Sequence, residues 1–149
     1  MAKFVYRMQN ILNIKEKLET QAKNEFAEAR VRLDEEIDKL RAIENRKKAY
    51  EEEGRALRQS AINIQDLNDN KYAIDRMDEQ IMAQNKRVEK AQKNLEAARD
   101  RLTEAMQETK VQLKLRERAF EDFKKELNAA ESKEVDELTS YTYGQKKDR

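Results

Sequence analysis

The chain has 149 residues, 42% of them Asp, Glu, Lys or Arg, with 32 basic side chains against 31 acidic and a net charge of +1. It contains no cysteine, histidine, proline or tryptophan, and two glycines. These absences exclude His- or Cys-based catalysis, zinc sites built from those residues, and a glycine-rich phosphate loop. The balanced charge argues against nucleic acid as a main partner.

What remains is the composition of long, solvated helices. Proline breaks a helix interior, and glycine there costs about 1 kcal/mol against alanine. The apolar fraction of 38% is thin for a compact core but matches a two-helix seam. High charge also suits disorder, yet here the two signs are interspersed and apolar residues recur at helical spacing. No run of 18 apolar residues is present, and Met1 to Asn10 is interrupted by Lys3, Arg7 and Gln9, unlike a signal peptide. The expectation is a soluble, cytoplasmic, all-α protein.

Helix one is expected over about 4–58. Its stripe is Ile11, Ile14, Leu18, Ala22, Phe26, Ala29, Leu33, Ile37, Leu40 and Ile43, continued by Tyr50, Leu57 and Ala61. The steps of three and four average near the straight-helix period, so weak supercoiling should follow. A turn is expected at about 59–63, where Asn63 can cap a new helix with Asp66 three residues on. Asn68-Asp69-Asn70 is the competing turn. Reversal near residue 61 pairs position i with roughly 122 − i, which sets Tyr50 opposite Tyr72.

Helix two is expected over about 64–138. Ile74, Met77, Ile81, Gln84, Val88, Ala91, Leu95, Ala98, Leu102 and Ala105 alternate steps of three and four, with Gln84 the one polar member. The stripe then slips by one residue to Met106, Leu113, Phe120 and Leu127, with Phe123 and Ala130 between. Helix one reaches only to about Arg118, which leaves Phe120, Phe123 and Leu127 on an unpaired helix, a candidate binding surface. A frayed tail is expected over 139–149. The fold read from these patterns is a long antiparallel two-helix coiled-coil hairpin with a C-terminal helical overhang.

No catalytic, cofactor-binding or metal-binding residue is assigned. An extended helix pair encloses neither a cage for a cation nor a cleft that shifts a carboxylate pKa. Glu51-Glu52-Glu53 reads as a solvated face, and Gly54 as a tolerated irregularity or a loosening of helix one near the turn.

Three segments resemble the FliJ family of flagellar export proteins. They are Phe4-Val-Tyr-Arg-Met-Gln-Asn-Ile-Leu-Asn-Ile-Lys-Glu-Lys17, then Asn63-Ile-Gln-Asp-Leu67 with Tyr72 and Ile74 to Ile81, and Arg116-Glu-Arg-Ala-Phe-Glu-Asp-Phe123 with Glu131 to Glu137. The resemblance covers most of the chain. It implies a non-enzymatic stalk, similar in fold to the central stalk of rotary ATPases, that bridges the export ATPase FliI and the export gate protein FlhA and handles empty export chaperones. It places such a protein in the cytoplasm at the flagellar basal body, peripheral to the membrane only through its partners. It implies a gate-binding face at Ile43, Tyr50, Tyr72 and Met77. The ATPase is expected at the open end, where Phe4, Phe120, Phe123 and Leu127 lie. Two other functions compete with it. One is a generic scaffold or chaperone-like coiled coil binding a partner helix through Phe120 to Leu127. The other is a membrane-surface helix over Phe4 to Leu18, disfavoured by the mixed signs of its polar face.

Overall fold

Asn63 sets the topology. Its side-chain Oδ1 accepts the Gln65 N–H at 3.0 Å, and its carbonyl accepts the Leu67 N–H at 3.1 Å, the two bonds of a helix N-cap. The chain therefore reverses at 60–63, between α1 (Gln9–Gln59) and α2 (Ile64–Lys147). The computed structural model describes residues 2–147, with side chains as far as Gly144. α1 has 51 residues and α2 has 84, and they pack as a helical hairpin. α1 begins at Gln9, not near residue 4: the Gln9 N–H bonds to the Tyr6 carbonyl in a turn, and residues 2–6 lie outside any helix. α2 stays helical through 139–147, where a frayed tail was expected, because nothing from 128 to 144 interrupts the backbone ladder. Residues 148 and 149 lie outside the described residues.

Two compact units make up the chain, one of residues 21–103 and one of 2–20 with 104–147. In the first, the seam is a strict seven-residue repeat on both helices. On α1 one row is Ala22, Ala29, Glu36, Ile43, Tyr50 and Leu57, and the other is Phe26, Leu33, Leu40, Lys47 and Gly54. On α2 the rows are Asn70, Met77, Gln84, Ala91 and Ala98, and Leu67, Ile74, Ile81, Val88, Leu95 and Leu102. Every one of these residues is buried or half-buried. A repeat of seven implies left-handed supercoiling, not the near-straight helix one inferred from apolar residues alone. That reading chose Ile37 and passed over Glu36, Lys47 and Gly54, because charged residues and glycine carry no apolar signal.

The polar seam residues are all matched. The Asn70 Nδ2 donates to the Tyr50 carbonyl at 2.8 Å, and the Gln84 Nε2 donates to the Glu36 carbonyl at 2.9 Å and to its carboxylate. Lys47 reaches Asp78 at 2.7 Å and Glu51 at 3.9 Å. Its ammonium is held above the ordinary 10.5 by the hydrogen bond to Asp78 and then by the Asp78 charge, with burial opposing the rise and the Glu51 charge adding least. A lysine pKa raised on folding stabilises the fold below its ordinary titration range. That contribution is lost as pH climbs through the raised value, so this pair is indifferent to pH near neutrality.

Gly54 is neither an irregularity nor a loose point. A Cβ there would stand 2.5 Å from the Asn70 Oδ1 and 3.3 Å from its Cγ. Glycine is what lets the buried Asn70 amide lie against the α1 backbone. Gly→Ala inside a helix ordinarily stabilises by about 1 kcal/mol. Here Gly54→Ala should lower the melting temperature, since displacing Asn70 costs about 1–3 kcal/mol for a buried amide that loses its partner. In an Asn70→Ala background the same change should raise it. Thermal melts of the four chains check the reversal of sign.

Candidate partner-binding surfaces

The unit formed by 2–20 and 104–147 is built the other way round. Its seam continues the heptad spacing through Leu12, Lys15 and Glu19 on α1 and Ala105, Thr109 and Gln112 on α2, all buried or half-buried. Apart from Leu12 and Ala105 it is polar, and cross-helix bonds hold it. The Thr109 hydroxyl donates to the Lys15 carbonyl at 3.2 Å, Lys15 pairs with Glu108 at 2.9 Å, and the Tyr6 hydroxyl donates to Gln112 at 3.2 Å. The stripe on α2 does not slip. Met106 and Leu113, taken as its continuation, are exposed, and so are Ile11, Ile14 (55%) and Leu18 on α1. Val111 and Leu115, which no periodic count selected, are exposed as well.

These apolar residues fall on both flanks of the pair. Ile11, Ile14 and Leu18 each precede a seam position by one residue, whereas Met106 and Leu113 each follow one. Residues one step before and one step after a seam position project to opposite sides of it at about 100° per residue. In an antiparallel pair, positions that precede the seam on either helix share a face. The α1 stripe and the α2 stripe are therefore on opposite faces.

Phe4 corrects the expected overhang. Because residues 2–6 are not helical, Phe4 folds onto α2. Its ring stands 5.1 Å from Phe120, edge-on, and 5.5 Å from Phe123. The Lys124 ammonium lies 4.8 Å over the Phe120 ring. Phe120 and Phe123 are thus partnered within the chain and do not sit on a lone helix. Ala2 shares a shallow groove with Leu127, Ala130, Glu131, Lys133, Glu134 and Glu137, so the N-terminal segment extends past Leu127 also. Phe4, Leu113, Arg116, Glu117 and Phe120 line a second groove of about 340 Å³. From Asn128 to Gly144 every described side chain is exposed, Val135, Leu138, Tyr141 and Tyr143 among them.

Near the turn, Ile43, Tyr50, Tyr72 and Met77 do not share one face. Met77 is 6% exposed and belongs to the seam, one heptad along from Asn70, as Ile43 is one heptad along from Tyr50. Ile43 and Tyr50 are half-buried. Asn70, not Tyr72, occupies the place opposite Tyr50. Tyr72, two residues further round α2, is 69% exposed on the side away from α1. Ile62 and Ile64 at the turn and Met82 on α2 are also exposed. No sequence signal singled these out, because exposure of an apolar residue is visible only once the seam is known.

The family model described as "Flagellar FliJ protein" matches residues 4–148, and the chain belongs to the FliJ family. It is a flagellar, type III export-associated protein. Among solved structures it is similar to CT670 of Chlamydia trachomatis, a protein assigned as a YscO homologue. That similarity has a TM-score of 0.62 and 21% identity, over 99% of each chain. The likeness is one of fold. No match was found among curated proteins. No helix of the described residues is long and apolar enough to cross a membrane.

The Phe4 contact carries a direct test. Two aromatic contacts and a half-buried ring together contribute about 2 kcal/mol. Phe4→Ala should therefore speed amide exchange at 119–124 by more than tenfold. Val5→Ala, at a side chain 77% exposed, should leave it unchanged.

Proposed function

We propose that this chain is a non-enzymatic coupling stalk of flagellar protein export. The unit of 2–20 and 104–147 engages the export ATPase FliI, and the turn-proximal part of 21–103 engages the export gate protein FlhA. Empty export chaperones are further partners, and the place of action is the cytoplasmic face of the basal body. One observation carries the ATPase half of this reading: in the former unit apolar side chains occupy opposite faces of the helix pair while the seam between the helices is polar. A partner that docks on a flat surface has use for one such face. A ring or sleeve that encloses the pair has use for both. Phe4, Phe120 and Phe123 supply an aromatic cluster at the same unit, with Leu127 beyond it, and a change of nucleotide state in the ring would alter its contacts with these residues unequally.

For the gate, Tyr72 offers the accessible contact of the four residues. Ile43, Tyr50 and Met77 act by holding the helices that present it.

Two charge-insertion variants separate enclosure from one-sided docking. Ile14→Glu with Leu18→Glu alters one flank, and Met106→Glu with Leu113→Glu alters the other. Each pair lies outside the seam, so helix content by circular dichroism should hold. Each should weaken stimulation of FliI hydrolysis by tenfold or more. Full stimulation by either variant contradicts an enclosing partner, and no stimulation by the unaltered chain contradicts the ATPase assignment. Tyr72→Ala should weaken FlhA binding without changing FliI stimulation.

A further inference from the structure

A strict repeat of seven on both helices leaves the hairpin of 21–103 with an ambiguity that its apolar residues cannot resolve. Sliding one helix past the other by a heptad sets apolar rows opposite apolar rows again. The turn opposes such a slide only through the Asn63 cap. Moving the reversal by half a heptad unwinds about one helical turn at the tip, and of residues 55–66 only Leu57 is even half-buried.

We propose that Asn70 seated on Gly54, together with Gln84 seated on Glu36, forms a register key. It admits one alignment of the two helices in this unit, so that an axial push on one helix is delivered to the other and is not absorbed as a slide. The inference rests on the geometry of this hairpin and holds whichever protein it engages. Asn70 faces Tyr50, and two heptads along both helices Gln84 faces Glu36, so the two seats belong to one alignment. A slide of one heptad brings Leu57 or Ile43 opposite Asn70, and puts Ala61 or Lys47 where Gly54 stands. Side-chain atoms then occupy the space that the Asn70 amide needs, for even a Cβ at 54 comes within 2.5 Å of it. The same slide sets the Glu36 carboxylate against Met77 or Ala91, neither of which can donate a hydrogen bond. Lys47 exchanges Asp78 for Lys71 or Asn85. In the observed register alone Asn70 has room beside Gly54 and the Glu36 carboxylate has a donor in Gln84, whereas the intrahelical pairs of Lys47 with Glu51 and Glu36 with Lys39 persist in any register. Crowding or unpairing a buried polar group is costly. A polar residue at one seam position is known to select coiled-coil register at some expense in stability.

The absence of native cysteine makes the test clean. Ala29 and Ala91 lie one heptad from the Glu36–Gln84 seat and report the observed register. Ala29 with Ala98, and Ala22 with Ala91, report slides in the two directions. Each pair is converted to cysteine in the full chain and mildly oxidised, and intramolecular disulfides are identified by mass. In the otherwise native chain the Ala29→Cys/Ala91→Cys pair should close and the two slid pairs should stay open. With Asn70→Leu and Gln84→Leu added, at least one slid pair should close ten times faster or more. Asn70→Ala with Gln84→Ala serves the same purpose if the leucine chain loses helix content. Slid pairs that close readily in the native background, or stay open after both seats are removed, overturn the proposal.

Discussion

In the hairpin of 21–103, two buried amides on α2 reach across the seam to main-chain carbonyls of α1: Asn70 to Tyr50 and Gln84 to Glu36. An apolar contact tolerates displacement along the helix, since one leucine serves as well as the next. The seats of these two amides do not, because a heptad shift supplies another carbonyl but takes Gly54 from beside Asn70 and the Glu36 carboxylate from beside Gln84. The alignment of the helices in this hairpin depends on these seats. Gly54 belongs to the same constraint, since it makes room for one of them.

The other unit applies the same chemistry to a different end. Thr109, Lys15, Glu108, Tyr6 and Gln112 hold the helices together through polar bonds, which releases Ile11, Ile14, Leu18, Met106 and Leu113 to the outside. A pair joined by a polar seam gains less from its own burial than an apolar one. It offers the difference to whatever covers it, since transferring exposed apolar area from water contributes roughly 25 cal/mol per Å². Phe4 limits this on one side by folding against Phe120 and Phe123. The arrangement suits a protein whose stability and whose partner contacts draw on one small set of apolar residues.

Much of this was legible in the sequence. The near-absence of glycine and proline, the spacing from Ile74 to Ala105, and the capping chemistry of Asn63 pointed to two long antiparallel helices. The failures share one cause. Counting apolar residues finds a seam only where the seam is apolar. It therefore followed Ile11, Ile14 and Leu18 to the outside of α1, read a slip at Met106 that does not occur, and paired Tyr50 with Tyr72 when the place belonged to Asn70. Lys15, Glu19, Glu36, Lys47 and Gly54 fall on the seven-residue grid, and a search for the grid without regard to residue type would have found them. The Phe4 contact was beyond reach for another reason: it depends on residues 2–6 leaving the helix, and no proline or glycine announces that departure.

The most direct test of the central claim is a distance between the helices of the hairpin in solution. Nitroxides introduced through Asp38→Cys and Lys86→Cys, both exposed and on opposite helices of the hairpin, can be measured by pulsed electron resonance. The account predicts a single narrow distance distribution that is unchanged by dilution with unlabelled chain. A broad or multiply peaked distribution would contradict a single register. A distance that disappears on dilution would mean that the helices pair between chains and not within one.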